Sequence, residues 1–295
     1  NFKMKRNLDF WLIIGLLIIL TGCAGNGNGA ENKNNTVQSN KERKAEASKL
    51  NSVKAHKNRI IKIGVIAEGE AQFAIIKSQL EALGYTVKDS SFKDAVKLND
   101  ALAKKDIDIS WCQSEINLQS YNGNKGTDFV LLQPKTYFPL FAMYSNRWKS
   151  LGELPDGAAI VICSDAQNQS RGLNLLRDYG LIEVNEGVAW PSIYDIKSNP
   201  HNFNFIEAES SILTQSINEV DAVCLEATRM LEAGLPCGEY LCSAKDNESY
   251  ALGFTVRAED KNAKWAKEVA QAAECEELAK YCRDEKKESL IPCWQ

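Results

Sequence analysis

Apolar and polar positions fall into three regimes along this chain. An unbroken apolar run from Phe10 to Leu20 comes first, a stretch from Ala24 to about Arg59 made mostly of Asn, Lys, Glu, Gly and Ser comes next, and from Ile60 onward short apolar runs alternate with amphipathic ones. The first run follows Lys3, Lys5 and Arg6, with Met4 as the expected start, and is too short to span a bilayer. That is the form of an export signal (1–22), not of an anchor. The second regime (23–59) cannot bury enough apolar surface to offset the entropy of ordering it, so it reads as a tether. Only the third is expected to fold, and it is long enough for two lobes.

Within that third regime, Ile60 to Ala67 reads as a continuous buried strand, and a helical pattern from Ala71 to Leu83 stops at Gly84. Strands are predicted at Tyr85 to Lys88, Ile107 to Trp111 and Phe129 to Gln133, with a helix around Leu98 to Lys104. A second unit opens after Pro155-Asp156-Gly157 with a strand at Ala158 to Cys163 and a helix from about Ser170 to Tyr179, closed by Gly180. Further strands are predicted at Phe203 to Ala208, Ala222 to Leu225 and Tyr250 to Val256, and helices from Ala263 to about Lys286. Alternation of this kind predicts α/β lobes built on parallel sheets, with ligands bound beyond the carboxyl ends of the strands. Two lobes with a cleft between them follow, one from 60–138 plus 250–295 and the other from 139–249.

Charge and chemistry narrow the function. The formal net charge is −4, with cations and anions mixed along the chain, so nothing points to a nucleic-acid binder. The two histidines are His56, in the tether, and His201, beside Pro200, so a Ser-His or Cys-His nucleophile has little to draw on. Neither a phosphate-cradling loop nor a dinucleotide fingerprint occurs, so the chain is read as no enzyme and as needing no cofactor. Nine cysteines are many for an exported protein. Cys237 and Cys242 are close enough in sequence to close a short loop, and Cys275 and Cys282 fall on one face of an expected helix. Several can instead be buried small hydrophobes. Without any Cys-x-x-Cys pair, a metal site is disfavoured.

Leu20-Thr21-Gly22-Cys23 resembles the lipobox of bacterial lipoproteins, which implies cleavage before Cys23 and lipid on its thiol. From Ile60 the chain resembles the NlpA/MetQ family, lipoproteins that deliver methionine to an ABC importer. The matching stretches are Ile61-Lys62-Ile63-Gly64-Val65-Ile66, Glu70-Ala71-Gln72, Asn99-Asp100-Ala101-Leu102 and Asp106-Ile107-Asp108 with Gln113. Further on come Ser150 to Ala158, then Asp165, Asn168 and Arg171, Gly180-Leu181-Ile182, Asp195-Ile196, Asn199-Pro200, Ala233-Gly234-Leu235 and Glu248-Ser249. The resemblance implies a two-lobed periplasmic-binding-protein-like (type II) fold with a closing cleft, an amino-acid-like ligand, an ABC permease as partner and a cell-envelope location through the lipid anchor.

It also implies where the pocket differs. A Phe-Gln-His motif and a nearby Tyr of the family read here as Cys112, Gln113, Ser114 and Asn117; a family Tyr falls at Ala95; and ligand-binding Asn residues fall at Glu226 and Gly253. Fewer aromatic walls remain for a thioether. Arg171 stands where the family pairs the ligand's α-carboxylate, with Asn168 before it, and a guanidinium fork suits that task on chemistry alone. The same residues also fit structural roles: Arg171 in an ion pair, Asn168 in a cap, Glu226 as a solvated acid. A surface lipoprotein that kept the fold and lost transport is the competing function.

Overall fold

The computed structural model describes residues 59–294, the side chain of Cys112 excepted. The export signal, Cys23 and the tether before Arg59 lie outside the described residues.

Strand β1 (Ile60–Ile66) buries Ile61, Ile63 and Val65 almost completely. A continuous apolar strand belongs inside a sheet covered on both faces, and β1 lies between β2 (Thr86–Phe92) and β3 (Ile109–Ser114), parallel to both. One face takes α1 (Glu70–Ala82) through Phe73, Ile76 and Leu80. The other takes α2 (Ala95–Ala103), so closely that a Cβ on Gly64 would stand 2.4 Å from Leu98 Cδ1. Asp94 caps α2 by accepting from the Lys97 amide at 2.8 Å. Helix α3 (Glu115–Lys125) follows β3 directly, capped by Ser114 and closed by Gly126 at φ 66°. The apolar pattern does not predict α3, because only Leu118 and Tyr121 are buried along it.

Strands β4 (Val130–Leu131) and β5 (Tyr137–Pro139) complete the first passage through this sheet. After Leu140 the chain enters a second sheet as β6 (Phe141–Tyr144). There β7 (Ala159–Cys163) leads into α4 (Ala166–Asp178), and β8 (Glu183–Val184) with β9 (Ile196–Ser198) forms a two-stranded sheet. Strand β10 (Asn204–Ala208), α5 (Leu213–Ser216), β11 (Ala222–Glu226), α6 (Ala227–Glu232) and β12 (Cys242–Ser243) finish that half. The chain returns to the first sheet as β13 (Leu252–Val256) and continues through α7 (Lys264–Ala272), α8 (Glu276–Asp284) and β14 (Leu290–Pro292). None of these helices is long and apolar enough to cross a membrane.

The first sheet has seven strands, ordered β14-β5-β13-β3-β1-β2 with β4 against β13, and the second has five, ordered β10-β7-β11-β6-β12. Both are mixed, which corrects the expectation of parallel sheets: β13 runs antiparallel to β3, and β6 to β11. The chain path explains the difference. Strands β3 and β11 end facing the other half, at Ser114 and Glu226, and their neighbours β13 and β6 arrive from that half beside those ends, with Leu252 opposite Ser114 and Phe141 opposite Glu226.

Cys163, Cys224, Cys237, Cys242, Cys275, Cys282 and Cys293 are free. Of the two readings the sequence left open for Cys237 and Cys242, loop closure or buried small hydrophobes, the second holds: they are buried in separate core clusters, on opposite faces of the second sheet. Cys275 is the cap preceding α8, whereas Cys282 lies within it. Burial pushes the Cys163, Cys242 and Cys282 thiols up to about 12.

Candidate functional site

A cavity of about 260 Å³ opens between the two halves. The first half contributes Gln72 from α1 and Ser114 and Asn117 from the start of α3; the second contributes Arg171 from α4 and Glu226 from the end of β11. Tyr137 and Tyr250, where the chain crosses between sheets, supply aromatic wall.

Arg171 is held in place by α4, which the Asp165 side chain caps by accepting from the Asn168 amide at 2.9 Å. Leu173, Leu175 and Leu176 bury the helix against the second sheet, and at Gly172 a Cβ would stand 3.4 Å from both Ile162 and Cys224. The Arg171 side chain is 1% exposed. Its Nη1 donates to Glu226 Oε1 at 2.8 Å, and its Nη2 donates to the Pro139 carbonyl at 3.2 Å and to Asn247 Oδ1 at 3.3 Å. The rings of Phe141 and Tyr250 lie 4.5 and 4.0 Å from the guanidinium carbon, within cation–π range. Nε is buried and has no partner. Burial draws the guanidinium below its usual value while Glu226 opposes the shift. Burial likewise raises the Tyr250 phenol, with Arg171 opposing.

Glu226 keeps 27% of its side chain exposed, so water reaches a carboxylate whose partner is dry. Across the cavity, Gln72 is 3% exposed, and its Oε1 is buried without a partner. An acceptor in that state is a place for a ligand donor, because an unmet buried polar atom is unfavourable. The cavity is thus lined by a residue with an unmet acceptor, a wet carboxylate and a buried cation, a set suited to a small polar ligand with an ammonium group. Among the described residues, no group of three or more His, Cys, Asp and Glu is placed to hold a metal.

The structure brings Ser114, Asn117, Arg171 and Glu226 to this cavity. Ala95 and Asn117 line a neighbouring groove of about 380 Å³ between α2 and α3, with Asn99, Ser120 and Lys125. Gln113 lies behind the wall: it is 1% exposed and joined to Asn99 by two reciprocal amide hydrogen bonds of 2.8 and 3.0 Å. Gly253 packs in β13, where a Cβ would stand 3.3 Å from Leu131 Cδ1. Asn168 turns to Asp165, with Nδ2 donating at 3.3 Å, and its neighbour Gln167 lines the cavity in its place. Cys112 lies in β3, with its side chain outside the description.

Sequence reasoning gave no ligand-site role to Gln72, Asn247, Phe141 or Tyr250. Gln72 stands in a stretch shared with the family, which was the available signal. Asn247 had none: it joins the crossings by accepting from the Phe141 amide at 2.9 Å and donating to the Ala244 carbonyl at 2.8 Å.

Residues 61–294 match the family model described as NlpA lipoprotein. A D-methionine-binding lipoprotein MetQ from Escherichia coli K12 is 31% identical over 224 residues, which cover 74% of this chain and 82% of that protein. A nutrient-binding protein from Burkholderia cenocepacia, solved bound to methionine, superposes with a TM-score of 0.66 at 28% identity, over 79% of this chain and 99% of that one. A periplasmic substrate-binding protein of an ABC transporter from Coxiella burnetii superposes with a TM-score of 0.66 at 27% identity, over 79% of this chain and 100% of that one.

Proposed function

This chain belongs to the NlpA lipoprotein family, and from that premise we propose that it is the lipid-anchored substrate-binding protein of an ABC importer. It captures a small amino-acid-like ligand in the cavity between its halves and hands it to a permease at the cell envelope. The observation that carries this reading is Arg171, a buried cation in an inter-sheet cavity, held beside Glu226 in a lining that also includes Gln72 with its unpartnered acceptor. The lobes are taken as 60–138 plus 250–295 and 139–249. The crossings at Leu140 and at 244–251 serve as hinges, through which ligand shifts an open–closed equilibrium.

Specificity differs from that of the methionine-binding relatives. Ser114, Asn117 and Glu226 make much of the wall polar, whereas aromatic enclosure is confined to the crossings, at Tyr137 and Tyr250. Loss of a buried aromatic contact costs roughly 3–5 kcal/mol when a large side chain is truncated, so affinity for methionine falls well below micromolar strength, roughly −8 kcal/mol. Calorimetry with methionine and other amino acids, alongside mass spectrometry of ligand carried through purification, tests this. Micromolar methionine binding overturns the altered specificity, and an empty protein that binds no amino-acid-like ligand favours a surface lipoprotein without transport.

A further inference from the structure

We infer that Glu226 is a specificity-determining residue: by occupying Arg171 it makes the cleft prefer a ligand with a free ammonium group and an uncharged carboxyl-derived end, an amide or ester, over a free amino acid. The inference rests on the capture reading above and refines the ligand class.

The donors of Arg171 are largely spent inside the protein. Nη1 is engaged by Glu226 at 2.8 Å and Nη2 by Pro139 and Asn247, and the rings of Phe141 and Tyr250 lie 4.5 and 4.0 Å from the guanidinium carbon. A bidentate grip on a ligand carboxylate needs two parallel N–H groups on neighbouring nitrogens, and the Nη1–Nη2 pair is held on both sides, by Glu226 on one and by Pro139 and Asn247 on the other. Were both carboxylates to stay, two negative charges would share one guanidinium in a half-buried site, and like charges so placed oppose each other's ionisation. A neutral carbonyl oxygen meets neither obstacle, because it asks for a single donor and brings no charge. Three of the five guanidinium N–H groups are taken, which leaves one on Nη1 and the buried Nε, and a single oxygen needs only one donor. The ammonium end is served by the second carboxylate oxygen of Glu226 and by Gln72 Oε1, both on residues lining the same cavity. Of the other charges lining the cavity, Arg229 is paired with Glu232 at 3.0 Å, and Glu68 and Lys286 carry opposite signs.

The test is calorimetry on the full chain in detergent with L-methionine, L-leucine and L-glutamine, each beside its own carboxamide. In the wild type the carboxamides bind about tenfold to a hundredfold more tightly than the acids, the range of one charge-assisted hydrogen bond. In Glu226→Gln the preference closes or reverses. The wild-type comparison needs no variant, so the inference stays open to refutation even if Glu226→Gln folds poorly. Acids that bind the wild type at least as tightly as their amides, or a preference that survives in folded Glu226→Gln, overturn the inference and leave the capture reading standing. Binding by no member of any pair overturns both.

Discussion

Removing one partner or the other of the Arg171–Glu226 pair has unequal consequences for stability. Glu226→Ala leaves a guanidinium that is 1% exposed without its counter-charge, a change that costs about 3–5 kcal/mol when a buried charge is orphaned. Arg171→Met leaves instead a carboxylate that is 27% exposed and hydrates in place. The methionine keeps an apolar filling beside Phe141 and Tyr250, and Asn247 retains the Phe141 amide. The cost is then the lost charge-assisted hydrogen bond, about 1.5–3 kcal/mol, at the low end because one partner is wet. The double variant removes both charges and recovers at least about 1 kcal/mol relative to Glu226→Ala. For a folded region of this size each kcal/mol corresponds to about 2–4 °C in Tm. Urea unfolding followed by tryptophan fluorescence and circular dichroism reads all three. An Arg171→Met variant less stable than Glu226→Ala, or a double variant no better than Glu226→Ala, refutes the reasoning.

Three further outcomes follow from particular residues. Cys23→Ala removes the lipid mass from the processed N-terminus and shifts the protein to the aqueous phase of a detergent partition; unchanged partitioning counts against the anchor. Gly64→Ala destabilises by about 1–3 kcal/mol, because the new Cβ meets Leu98 Cδ1 at 2.4 Å and Ile107 Cδ1 at 2.6 Å in a packed layer; a neutral urea midpoint would show that α2 moves freely. The Cys163, Cys242 and Cys282 thiols are held protonated up to about 12 against an ordinary 9.0, so the native chain keeps protons that the unfolded chain releases. Their contribution to stability is full below pH 9 and is lost between about 9 and 12, and a flat profile of urea midpoints over that range contradicts it.

Strand β1 was legible to within a residue because a central strand is apolar on both faces and its signal is local. The start of α4 was legible less well: the apolar pattern begins near Ser170, while the helix begins at Ala166 behind the Asp165 cap. Helix α3 was lost because its sequence is polar and it rests on Leu118 and Tyr121 alone. The mixed sheets were not legible either, since strand direction depends on which half the chain arrives from. Gln113 and Gly253 show the limit for the site: each stands where the resemblance implies a pocket position, yet one is tied to Asn99 and the other packs on Leu131.

The sequence by itself determined the alternation of strands and helices, the family resemblance and the presence of Arg171 and Glu226 as separate candidates, since these depend on residue type and order along the chain. Only the tertiary structure decided that Arg171 and Glu226 pair, that Asn247 joins the two crossings and that Gln72 is left with an unmet acceptor. Those facts depend on distances between residues far apart in sequence, where hydrogen-bond partners are set by how the halves pack and not by any local pattern.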